Sequence, residues 1–182
     1  MACTSVHPPT RASLCDYDAY FGELSVLFIT LVGDGLTDWT DETEWDTRID
    51  NTTAQAAQDP ALIRALFGIG SMGKPEKTKV KFSRRREVFS APKYTFEFVV
   101  DDTGTANWAW ARAIPTAGQT FTGWVGTEDR LFGGNAGLQL TVSPSPNIPG
   151  SSEELITLII DITFEGSIPE VTDMPAIAAL TA

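Results

Sequence analysis

Seven carboxylates crowd the stretch GDGLTDWTDETEWDTRID, residues 33–50, around Trp39 and Trp45. Carboxylates at that density serve metal coordination, paired acid–base catalysis or recognition of a basic partner. A calcium loop needs oxygen ligands at alternating positions, a central glycine and a terminal glutamate. Here Gly35 precedes the acids and the spacing fails. A glycosidase needs two carboxylates at a set separation, but 24 acids in 182 residues would supply such a pair in almost any fold. Local structure explains much of the cluster. Asp38 is a good N-cap, and Asp41 sits three residues on, where a capping box places an acid. Asp41, Glu42 and Glu44 then fall in or near the first turn, where the helix dipole favours negative charge. Trp45 and Ile49 are four apart and share a face, with Arg48 beside them. The spacing predicts a short helix over 38–49, pinned to the core by Trp45 and holding its acids in solvent. Asp38, Asp41, Glu42 and Glu44 are thereby candidate contacts for a basic partner.

Other constellations are weaker. In GIGSMGK, residues 68–74, Gly68 and Gly73 match a phosphate loop, but Pro75 stands where that loop needs the Ser or Thr that holds magnesium. The single histidine, His7, lies in a proline-rich arm, and no G-x-S-x-G elbow occurs. Cys3 and Cys15 match no zinc-ligand spacing with it and are expected as free thiols. No catalytic, cofactor-binding or metal-binding residue is therefore assigned. Trp45, Trp108 and Trp110 sit in helix-like segments, where packing is the commoner use; Trp39 and Trp124 are open to a carbohydrate-binding role.

Charge carries the clearest functional signal. The net charge is −11, yet the segment Lys74–Lys93 holds eight of the thirteen basic residues against Glu76 and Glu87. That segment carries about +6 and the remainder about −17. Complementary patches of this kind steer the encounter of copies and fix their orientation. Lys77, Lys79, Lys81, Arg84, Arg85 and Arg86 are thus candidate interface residues, paired with the acids of 38–44. Charged edges that guard a strand against aggregation explain the same residues equally well. Nucleic-acid binding by this segment is opposed by the overall acidity.

These residues need elements to position them. Residues 1–16 read as an extended arm, since His7-Pro8-Pro9 resists helix and sheet. A buried strand is expected over 23–32, closed by Gly33-Asp34-Gly35. A short helix is expected after Asp59-Pro60, with Ile63, Leu66 and Phe67 as its apolar face and Gly68, Gly70 and Gly73 ending it in a mobile loop. KTKVKF alternates with period two, and RREVF continues the strand. After Pro92, KYTFEFVVDD sets Tyr94, Phe96, Phe98 and Val100 on one face. TGTANWAWARAI reads as a helix ending before Pro115. TFTGWVG and RLFGG form a hairpin about Thr127-Glu128-Asp129. GLQLTVSPS is a strand, and SPSPNIPGSS reads as a loop. In ELITLIIDITFEG, residues 154–166, Ile156, Leu158, Ile160, Ile162 and Phe164 face the core; the mixed set with Ile159, Asp161 and Thr163 faces a partner or a lumen. The apolar tail 167–182 needs cover, either from a neighbouring subunit or from its own core.

The fold class expected is mainly β. It is a single β-sandwich or partly open β-barrel of about seven strands with two or three short flanking helices and extended terminal arms. The organisation expected is an N-terminal arm (1–16), a β-rich assembly domain (17–167) and a C-terminal tail (168–182). No segment approaches the roughly 20 apolar residues of a membrane helix, and the N-terminus does not read as a signal peptide.

In order, these segments are a strand, an acidic Trp-containing helix, KTKVKFSRRREVF, an aromatic strand ending in DD, NWAWARAI, a Gly-aromatic hairpin and a long last strand ending FEGS. With the early MAC and the D-W-x-D-x-x-E-W-x-x-R pattern of Asp38–Arg48, that order resembles tail-tube-type and head–tail β-barrel structural proteins of tailed bacteriophages, in particular those infecting Bacteroidetes. The resemblance spans most of residues 15–167. It implies assembly without catalysis: stacked rings around a DNA channel, whose acidic lumen repels phosphate. It also implies a basic segment meeting an acidic face, such as the 38–46 helix, on the next copy. The expectation is a non-enzymatic virion structural protein made in the host cytoplasm. It would join copies of itself in rings or tubes, as a tail-tube or connector subunit, contact other virion proteins, lie near DNA without reading its sequence, and use no cofactor and no membrane. The alternatives are an auxiliary or decoration protein of the capsid and, from another class, a carbohydrate-binding β-sandwich module.

Overall fold

The computed structural model describes residues 23–49, 62–83, 86–101, 103–148, 156–166, 169–177 and 180. The predicted arm 1–16, with Cys3, His7 and Cys15, lies outside the described residues, as do Arg84 and Arg85. The elements in chain order are β1 (Leu24–Thr30), α1 (Glu42–Arg48), β2 (Arg64–Gly70), β3 (Lys79–Ser83), β4 (Arg86–Phe89), β5 (Lys93–Val100), α2 (Thr105–Ala113), β6 (Gln119–Gly126), β7 (Arg130–Phe132), β8 (Leu138–Asn147), β9 (Thr157–Glu165) and β10 (Val171–Asp173).

Period-two alternation builds a barrel. Strands β1-β2-β5-β9-β8-β6 follow one another in antiparallel pairs, and β6 pairs back onto β1 to close the ring. Closure removes sheet edges, the usual liability of β structure. Strands β7 and β10 extend outward from the far half of β6. The interior is filled by the faces expected from sequence, apart from Ile156, which is exposed: Tyr94, Phe96, Phe98 and Val100 of β5 meet Leu158, Ile160, Ile162 and Phe164 of β9. Helix α2 packs Trp110 and Ala111 against this core, with Trp110 6.3 Å from Phe121.

A second core lies outside the ring. Strand β1 is apolar on both faces, so Leu27 and Ile29 point into the barrel while Val26 and Phe28 point outward. The outward set is covered by α1 through Trp45 and by the C-terminal tail through Ile177, Met174 and Leu180. Of the two expected partners for that tail, its own core is the one observed. Strand β10 ladders with β7, and the Ala176 N–H donates to Glu42 Oε1 at 3.3 Å.

Four local expectations are corrected. Residues 64–70 form strand β2 in place of a helix at Ile63–Phe67. Backbone pairing to β1 and β5 overrides a short apolar run whose periodicity is ambiguous. Gly68 belongs to that strand because a Cβ there would overlap the Val99 carbonyl of β5. The basic strand is two strands, β3 and β4, paired antiparallel with Ser83 opposite Arg86. Residues 143–147 continue β8, where a loop was expected. Beyond the Gln119–Val142 pair, β6 no longer flanks β8, so the missing N–H groups of Pro144 and Pro146 leave no β6 partner unpaired. Finally, the N-cap of α1 is Asp41, whose carboxylate accepts from the Thr43 N–H, and not Asp38. The described residues hold ten strands and two helices against about seven strands and two or three helices expected.

Candidate functional site

Strands β3 and β4 form a ladder of their own, separate from the barrel sheet, on the connection between β2 and β5. Its stem is tied by reciprocal bonds between Glu76 and Lys93, 2.8 and 2.9 Å, and by the Ser90 N–H on the Thr78 carbonyl at 2.8 Å. Above the stem Lys79 lies opposite Phe89, Val80 opposite Val88 and Lys81 opposite Glu87. Alternation puts Lys77, Lys79 and Lys81 on one face, all exposed. Lys79 Nζ sits 5.8 Å from the ring centre of Phe89, which is 63% exposed. The structure therefore gathers three of the six predicted basic residues into one row. Arg86 starts the return strand near the tip.

The four predicted acids are brought together, but each already has a local task. Asp38 Oδ1 accepts from the Thr40 hydroxyl at 2.7 Å and the Thr40 N–H at 3.0 Å. Those bonds, the hydroxyl's first, hold its carboxyl below its ordinary value of 3.8. Asp41 caps α1, and Glu42 holds the C-terminal tail. Glu44 accepts from the Thr37 and Asp38 N–H groups at 2.9 Å and lies 3.8 Å from Arg48. Arg48 in turn donates to the Gly35 carbonyl at 2.7 Å. This acidic knot folds the 34–49 segment.

A second acidic feature escaped sequence reasoning. Glu97 of β5 and Asp161 of β9 are direct cross-strand neighbours on the outside of the barrel, both exposed. The alternation of each strand reveals which residues face outward. The pairing of strands more than sixty residues apart is not readable from either one.

Other chemistry finds little footing. A cleft of about 170 Å³ lies among Arg64, Ala65, Leu66, Phe67, Val100, Asp101 and Asn107. Arg64 Nε is buried there without a hydrogen-bond partner. The volume is below the roughly 300–1,000 Å³ of small-molecule sites. Gly68 and Gly70 are strand residues, so GIGSMGK forms no phosphate-cradling loop. Trp39, Trp45 and Trp124 are buried and Trp108 and Trp110 half-buried, which leaves no fully exposed tryptophan platform for sugar. Among the described residues no three His, Cys, Asp or Glu side chains converge as a metal site. No helix among them is long and apolar enough to cross a membrane. No protein-family model, curated protein or solved structure matches the chain.

Proposed function

We propose that the chain is a non-enzymatic virion structural protein of a tailed bacteriophage that assembles with copies of itself, as a tail-tube or connector subunit. One observation carries this reading: a basic hairpin stands apart from a closed barrel in a chain that is otherwise strongly acidic. A closed barrel needs no such arm for its own stability, and an isolated two-stranded ribbon is marginal by itself. An exposed lysine row with an exposed phenylalanine opposite Lys79 suits a contact that is completed by another molecule. The surplus of negative charge elsewhere supplies complementary surface on sister copies, and it lets DNA pass without adhering.

The test is electron microscopy and sedimentation velocity of the purified chain across a salt series. Rings, stacks or tubes that form at low salt and disperse as the Debye length shrinks support the reading. A chain that stays monomeric at high concentration and low salt, and adds only to preformed capsids, supports the decoration-protein alternative instead.

A further inference from the structure

We infer that the outward face of β5 and β9 is the acceptor for the β3–β4 hairpin of a second copy of this chain. The inference rests on the assembly reading above and names its partner surface.

Inside the barrel, Phe98 and Val100 pack with Leu158 and Ile160, so the alternate residues of both strands point outward. Neither helix covers them: α1 and the tail pack over β1, β2 and β6, and α2 packs against the interior cluster. Register sets Ile69 opposite Val99 and Val99 opposite Ile159, one aliphatic row across three strands. Ile69 is 56% exposed, and the exposed Phe67 lies two residues along β2. The neighbouring row holds Glu97 opposite Asp161. Like charges directly opposite one another destabilise a sheet, and neither carboxylate has an ion-pair or hydrogen-bond partner among the described residues. The surface is thus an apolar strip beside an uncompensated pair of acids.

The hairpin presents the complement on one face. Lys77, Lys79 and Lys81 repeat every second residue, roughly 7 Å apart. Phe89 stands across from Lys79. Apolar and acidic rows on the acceptor follow the same two-residue step along β5. Phe89 can therefore cover the Ile69–Val99–Ile159 row while the lysines reach Glu97 and Asp161. Phe89, the three lysines and both acids are all exposed within one chain. A second copy brings a hairpin to each acceptor face, and the contact is head-to-tail, so it propagates.

The test uses the full-length chain and two charge reversals: Lys77, Lys79 and Lys81 to Glu in one protein, Glu97 and Asp161 to Lys in another. Each alone should lose assembly, raising the concentration for half-assembly by roughly tenfold or more at low salt. Mixed one to one they should co-assemble within about threefold of the parent, because both contacts are again of opposite sign. Circular dichroism checks that each variant is folded. Should the lysine replacement of the acids unfold the barrel, Glu97→Gln with Asp161→Asn is measured instead, and it must weaken assembly. Loss of assembly in the hairpin variant, with none in either face variant, overturns the acceptor assignment and leaves the assembly reading standing. Failure of the mixture to co-assemble also overturns the assignment. A parent protein that never assembles overturns both.

Discussion

The indole of Trp45 meets that of Trp124 edge to face, with centroids 5.3 Å apart and planes at 77°, and solvent reaches neither. Phe28 also packs on Trp45, with ring centroids 4.8 Å apart. Each indole N–H is satisfied by a carbonyl from a different loop: Trp45 donates to Trp39 at 2.9 Å and Trp124 to Gly134 at 2.7 Å. Through this pair the acidic segment, the barrel wall and the β7–β8 turn become one packed unit.

Trp45→Ala should therefore cost about 3–5 kcal/mol, since it opens a cavity and strips two aromatic contacts together. Trp45→Phe keeps much of the volume but leaves the Trp39 carbonyl without its donor, for a cost of about 1–3 kcal/mol. Urea unfolding followed by far-ultraviolet circular dichroism measures both. Equal losses for the two variants would mean that the hydrogen bond matters more than the packing.

Acid should loosen the 34–49 segment through Asp38. Its carboxyl is held below its ordinary value by the Thr40 hydroxyl and N–H, so its folded pKa is depressed relative to the unfolded chain. A depressed carboxylate stabilises the fold above its ordinary value of 3.8, and that contribution disappears as pH falls through the lower folded value. Asp38→Asn should then be less stable than the parent at about pH 7, and the gap should close as pH falls through the depressed folded value. Unfolding midpoints at several pH values check this. A gap that stays constant or widens in acid contradicts it.

Prolines inside β8 lead to a third expectation. Pro144 lies opposite Ile160 and Pro146 opposite Leu158, and neither can donate to β9. The β8 donors in this stretch must then come from Ser143, Ser145 and Asn147 between them. Ser145→Pro removes one such donor and should cost about 1–3 kcal/mol. Pro144→Ala restores an N–H on the side that β6 has left and should change stability by less than about 1 kcal/mol. Thermal unfolding of the two variants separates them, and a larger loss in Pro144→Ala would show that the register is misassigned.

How far the sequence anticipates this molecule depends on where each signal resides. The interior faces of β5 and β9 were legible because Tyr94–Val100 and Leu158–Phe164 alternate strictly and bury one side. The β6–β7 hairpin was legible from its turn residues, and α1 from the four-residue spacing of Trp45 and Ile49. Its cap was displaced because Asp38 and Asp41 are both good caps, and the reach of Glu44 back to Thr37 and Asp38 decides between them. Strand β2 was hidden because a short apolar run followed by glycines fits a helix end as well as a strand. Gly68 and Gly70 are explained only by the closeness of β5. The pairing of β3 with β4 stayed hidden because the sequence between Ser83 and Arg86 holds no glycine, proline or asparagine to split one strand into two. The Lys row was visible, whereas Glu97 opposite Asp161 is a property of strand pairing alone.

The hairpin should be removable without harm to the barrel. Glu76 and Lys93 exchange both backbone bonds, so they already form the hydrogen-bonded pair that a two-residue turn closes. Replacing residues 77–92 by Asn-Gly joins those two strand ends directly. Among the described residues, no member of either buried cluster lies in the excised segment. The excised protein should keep its circular dichroism spectrum and unfold within a few degrees of the parent, since roughly 1 kcal/mol shifts the midpoint of a chain this size by about 2–4 °C. Self-association at low salt should be lost. A folded, hairpin-less barrel that still forms rings or tubes would move the assembly contact elsewhere on the molecule. A barrel that unfolds without the hairpin would make the arm a structural part of the domain and not an interface carried by it.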